Sequence, residues 1–208
     1  MNVLIIILLF LALLLSRVTN LKTAVVILLG QSILVALACA IVAAETGAVH
    51  TYIAAALTLV IKAGLIPYAL FRIVGMLRRE REVNPILQPN YSAMVAGSMI
   101  VLAYGLTDKA LPEIVSRDAL AAAVAMMLIG LTMIMIRRQA VLQIVGLITM
   151  ENGLYLVGLS VTQGLPLIIE LGVVLDVMVA VVVLVILTYR LKRSFMSTDT
   201  SVLKKLKG

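Results

Sequence analysis

Between Arg137-Arg138 and Arg190 no basic residue occurs, and two apolar runs of helix length are separated only by the turn Thr162-Gln163-Gly164-Leu165. Runs of this kind are stable in a bilayer as helices, because a helix satisfies its own backbone donors and acceptors and crosses in about 20 residues. Each run also carries one acid near its middle, Glu151 in the first and Asp176 in the second. A carboxyl group at mid-depth is costly unless it is paired, protonated or wetted. Two such acids on successive helices therefore demand an explanation.

The same pattern fills the chain. Its 208 residues are 63% hydrophobic and 13% charged, and its mean hydropathy is +1.18, against roughly a quarter charged in an ordinary globular domain. The apolar segments are long and do not alternate, which selects an all-α integral membrane protein over an outer-membrane barrel. With no tryptophan, an interfacial aromatic belt would rest on Tyr52, Tyr68, Tyr91, Tyr104, Tyr155 and Tyr189. One cysteine, Cys39, and one histidine, His50, are too few for a haem, iron–sulfur or zinc site built by this chain alone. The net charge of +7 comes from residues flanking apolar spans, which argues against a nucleic-acid partner and for topology signals.

Taken in order, the first span covers about residues 2–15; without a basic leader or a small-residue cleavage site it reads as a retained helix. The second covers 23–44, with Gly30, Gln31 and Ser32 at its centre, and Glu45 and His50 bound the next turn. In the third, 51–71, Lys62 is followed by Pro67, which removes a backbone donor and clashes with the carbonyl of Ala63, so the helix beside Lys62 is expected to kink or open. The charged, proline-bounded stretch 78–89 reads as an exposed connection. A fourth span, 91–106, has Ala93 and Gly97 four apart for close packing. Residues 107–118 form a polar connection, and a fifth span, 119–136, is rich in Ala and in Met126, Met127, Met133 and Met135, read as packing residues.

With the two runs described first, this makes about seven spans. If the N-terminus is outside and the C-terminus cytoplasmic, every basic residue lies on the inner side except Lys109, Arg117 and the intramembrane Lys62, as the positive-inside rule requires. The expected organisation is a three-helix part at 1–77, a cytoplasmic connection at 78–90, the fourth helix and its outer loop at 91–116, a three-helix part at 117–190 and a basic tail at 191–208, the last lying against membrane lipid.

Lys62, Glu151 and Asp176 each lie 10 to 14 residues from an inner-side arginine, which puts all three roughly 15 to 21 Å into the membrane. They are candidates for one polar layer, with Glu170 about 9 Å further out as a next step. Gln31 and Tyr155 are candidate support for that axis. Such groups can relay protons, since burial and a neighbouring ammonium push a carboxyl in opposite directions. A static arrangement is the alternative, with Lys62 neutralising one acid and the other held protonated between helices.

Arg137-Arg138, Gly146-Leu147, Met150-Glu151-Asn152-Gly153, Gln163-Gly164-Leu165-Pro166 and Glu170-Leu171-Gly172 through Asp176 together resemble the hydrogenase-4 component E family. These are membrane subunits of group 4 membrane-bound nickel–iron hydrogenases and formate hydrogenlyases. The last three spans are also similar to the small K subunit of complex I and the small C subunit of multisubunit cation/proton antiporters. The resemblance implies a non-catalytic subunit of a prokaryotic cytoplasmic membrane complex, between antiporter-like subunits and the anchor of the hydrogenase module. The nickel–iron centre and iron–sulfur clusters would belong to those partners, with no cofactor or metal in this chain. It implies that Asp176 is the second of two axis acids. The first departs from the K-subunit pattern: Ile148 stands at its place and Glu151 follows three residues later, about 4.5 Å along nearly the same face. The function so implied is coupled translocation of protons or sodium; an antiporter subunit without a redox module, or a structural spacer, stands beside it.

Overall fold

The computed structural model describes residues 2–47, 49–77, 80–82, 85–110 and 117–161, together with positions 178, 182 and 186. The described chain is helical: α1 (Asn2–Arg17), α2 (Leu21–Thr46), α3 (Val49–Thr58), a π-helical segment (Leu59–Leu65), α4 (Ile66–Gly75), α5 (Pro89–Ala110), α6 (Arg117–Ile136) and α7 (Ala140–Val161). Among the described residues the β pairing is a single bridge between Asn20 and Arg81.

Four helical stretches are long and apolar enough to cross a membrane: Leu21–Glu45, Ala55–Gly75, Arg117–Ile136 and Ala140–Leu159. α1 is apolar but has 16 residues, and α5 has 22 but includes Asn90, Ser92, Ser98, Thr107 and Asp108. The expected seventh span, with Glu170 and Asp176, lies outside the described residues, as do the tail and Tyr189.

Local chemistry accounts for the helix ends. Asn20 caps α2, its side-chain oxygen accepting from the backbone N–H of Thr23 at 3.1 Å, one of the donors a helix start leaves free. At the other end Gly47 adopts φ 66 and donates to the carbonyl of Ala43, the left-handed stop that glycine makes without strain. Between α3 and α4 the backbone opens where Pro67 demands it. Ile66 donates to Ile61, five residues back, and this wider turn relieves the carbonyl that the proline ring would strike in a regular helix. Lys62 lies inside the widened segment.

α6 and α7 form the closest pair. A Cβ added at Gly130 would lie 2.5 Å from the carbonyl oxygen of Gly146 and from the Met150 nitrogen; one at Gly153 would lie 2.7 Å from the Ala123 carbonyl. These glycines let two backbones touch. Among the described residues the expected close approach at Gly97 on α5 is not found, because a Cβ there meets nothing within 4 Å. α7 also packs on α2; α1 lies against α2, α5 and α6, and α3, the π-helical segment and α4 against α2. Met126 and Met133 fill this core, whereas Met135 faces outward.

Two expectations are corrected here. Tyr155 is only 3% exposed and belongs to the interior, since α7 packs against both α6 and α2; Tyr52, Tyr68 and Tyr91 remain exposed. The connection around residue 80 is not wholly exposed either. Glu82 is buried, because residues 80–82 pair with the start of α2 through Leu21 N–H to the Glu80 carbonyl at 2.8 Å and Glu82 N–H to the Thr19 carbonyl at 3.0 Å.

Candidate functional site: a buried polar cluster around Lys62

The π-helical segment, α2 and α7 converge on a group of polar side chains in an otherwise apolar interior. Lys62, Gln31, Thr149 and Asn152 are fully buried, and Glu151 and Tyr155 nearly so. The Lys62 ammonium lies 3.8 Å from Glu151 Oε2. It donates to Asn152 Oδ1 at 3.3 Å and sits over the Tyr155 ring, 4.3 Å from its centroid. Carboxylate, amide oxygen and aromatic face thus all attract one cation.

Helix periodicity explains why α7 supplies so much of this. Thr149, Asn152 and Tyr155 are spaced by three and so lie along one face, with Glu151 beside them. From α2, Gln31 Oε1 accepts from Asn152 Nδ2 at 3.4 Å and from the Thr149 hydroxyl at 3.2 Å. The Thr149 hydroxyl also lies 2.9 Å from the Val145 carbonyl. A continuous polar chain therefore runs from Lys62 through Asn152 to Gln31 and Thr149. Its energetics are demanding: an ammonium and a carboxylate removed from water each cost several kcal/mol, offset only by well-placed partners.

Among the sequence candidates, Lys62, Glu151, Gln31 and Tyr155 are brought together. Ile148, at the K-subunit position, is a buried apolar residue. Glu170 and Asp176 lie outside the described residues. Asn152 and Thr149 were not singled out as site residues; their three-residue spacing in an apolar helix was the signal that could have found them. Among the described residues no group of three or more His, Cys, Asp or Glu side chains could hold a metal ion.

A second buried ionic group lies at the end of the helices where α1 stops and α7 begins. Arg137 donates to Glu82 Oε2 at 2.8 Å and to the Ser16 carbonyl, while the backbone N–H of Arg138 donates to Glu82 Oε1 at 2.8 Å. Both side chains of the pair are 1% exposed. Arg137 is thus more than a flanking topology signal.

The family model for NADH-ubiquinone/plastoquinone oxidoreductase chain 4L matches residues 118–208, a stretch that holds Thr149, Glu151, Asn152 and Tyr155 but neither Lys62 nor Gln31. An uncharacterised protein of Mycobacterium tuberculosis is 34% identical over 152 residues, 72% of this chain and 69% of that protein. Hydrogenase-4 component E of Escherichia coli K12 is 33% identical over 122 residues, 58% of this chain and 56% of its own; that of Shigella flexneri matches equally. The chain spans little more than half the length of these component E relatives. No solved structure matches it.

Proposed function

From its likeness to hydrogenase-4 component E and to the chain 4L family, we propose that the chain belongs to the hydrogenase-4 component E family and is a membrane-arm subunit of a complex I-like, hydrogenase-type assembly that moves protons or sodium across a prokaryotic cytoplasmic membrane. The observation that carries the reading is the Lys62–Glu151 pair, buried together with Asn152 and Tyr155 in helices long and apolar enough to span a bilayer. Intramembrane ionisable residues mark ion pathways more often than they serve packing. At 3.8 Å, beyond the 2.7 to 2.9 Å of a tight charge-assisted contact, the pair attracts electrostatically without a direct hydrogen bond, so in this reading a proton passes when the two draw together or through one bridging water.

In this reading Glu151 and Asp176 are the two axis acids, Lys62 sets the charge between them, and Glu170 is the outward step. Seven spans with the N-terminus outside and the C-terminus cytoplasmic belong to the same reading, supported by the distribution of Lys and Arg. Antiporter-like subunits, a membrane anchor and a hydrogenase module are the partners, and they supply the nickel–iron and iron–sulfur chemistry.

The test is ion translocation by membrane vesicles carrying the assembled complex, comparing wild type with Glu151→Gln and Asp176→Asn. Translocation is expected to collapse in both while the complex stays assembled. Normal pumping by both variants would make these acids structural and overturn the reading.

A further inference from the structure

The polar chain behind Lys62 has an irregular donor count. The Thr149 hydroxyl has one hydrogen but lies within donating distance of both Gln31 Oε1 and the Val145 carbonyl. Gln31 Nε2, meanwhile, is fully buried and has no partner among the described residues. A buried amide with two unused hydrogens beside an oversubscribed hydroxyl is costly.

Turning both amides end for end keeps every heavy atom in place and changes the account. Gln31 Nε2 then donates to Thr149 and Asn152, Thr149 donates to Val145 alone, and the unused group becomes a carbonyl, which burial penalises less than an N–H. The cost of that second arrangement falls on Lys62, which would face Asn152 Nδ2 in place of Oδ1. Two donors repel if Lys62 is an ammonium; a neutral amine accepts through its lone pair.

We propose that Gln31 and Asn152 are a coupled amide pair whose orientation is set by the charge on Lys62, making them positioning residues for proton exchange between Lys62 and Glu151. The inference rests on the proton-path reading above. When the two side chains close from 3.8 Å to hydrogen-bond distance, or one water bridges them, the proton passes from Lys62 Nζ to Glu151 Oε2 and ammonium and carboxylate become amine and carboxylic acid; Asn152 turns its N–H toward the new lone pair and Gln31 turns with it. The reverse transfer restores the first arrangement. Among the described residues the titratable groups shown against Lys62 are Glu151 and Tyr155, both from α7; α2 contributes the neutral Gln31 to the chain.

The experiment is infrared difference spectroscopy of membranes carrying the assembled complex, stepped between acidic and alkaline buffer. Wild type is expected to show a side-chain amide carbonyl difference band that disappears in Asn152→Leu and Gln31→Leu. It is expected to disappear also in Lys62→Met, where both amides remain but no charge changes beside them. Where Lys62→Met fails to assemble, the Lys62→Met/Glu151→Gln double variant removes both charges together and serves the same purpose. No amide band in wild type, or one that survives loss of Lys62, overturns the proposal. Loss of translocation in Glu151→Gln with no amide band in wild type would sink the coupled pair alone; normal translocation in that variant would sink the proton path itself.

Discussion

Lys62 shows how one side chain can be legible in sequence and its setting not. A lysine at the centre of an apolar span stands out because nothing else there is charged, and the same contrast exposes Glu151. Asn152 and Thr149 carry no charge and stand among residues that hydrogen-bond within helices as a matter of course. Their part became visible only once α2 and the π-helical segment were placed against α7. If Lys62 and Glu151 stabilise each other, their substitutions are not additive. The Lys62→Met/Glu151→Gln double variant is expected to be more stable than the sum of the two single losses by about 0.5–3 kcal/mol, measured by denaturant unfolding in detergent micelles. Strict additivity would show that the two groups are neighbours without being partners.

At the level of helices, Pro67 announced a disturbed turn beside Lys62, because proline's missing donor and bulky ring act whatever surrounds them. The proline alone leaves open whether the helix kinks or widens, so the π-helical form over Leu59–Leu65 could not be read from it. Close packing is a matter of partners in the same way. Gly97 had the small-residue spacing, yet a Cβ there meets nothing within 4 Å among the described residues; Gly130, Gly146 and Gly153 make the close contacts of α6 and α7. Gly146→Ala would place a methyl carbon 2.9 Å from the Gly130 carbonyl oxygen and is expected to cost about 1–3 kcal/mol through overpacking. Gly97→Ala is expected to be neutral or mildly stabilising, since alanine favours a helix. Thermal unfolding of the two variants side by side checks this, and equal midpoints would contradict the packing account.

Across the whole molecule, alternating apolar and basic segments made an all-helical membrane protein readable, because the bilayer restricts the choices to very few. The link between Glu82 and Arg137 had no local signature: the residues are 55 apart, and Glu82 stands in a charged stretch that looks wholly solvated. Burial separates it from the neighbouring pair of Lys22 and Glu80, whose side chains are about half exposed. Glu82→Ala is expected to cost about 3–5 kcal/mol, since it strands a buried guanidinium. Glu80→Ala should cost no more than about 1 kcal/mol. Denaturant titration of both variants distinguishes them, and a mild effect at Glu82 would mean that Arg137 finds another partner. The same pair also sets a timetable for biosynthesis. Glu82 leaves the ribosome before α5 and α6 are made, so its carboxylate stays in water without this partner until both helices have been synthesised and Arg137 emerges, and only then can the two be buried together.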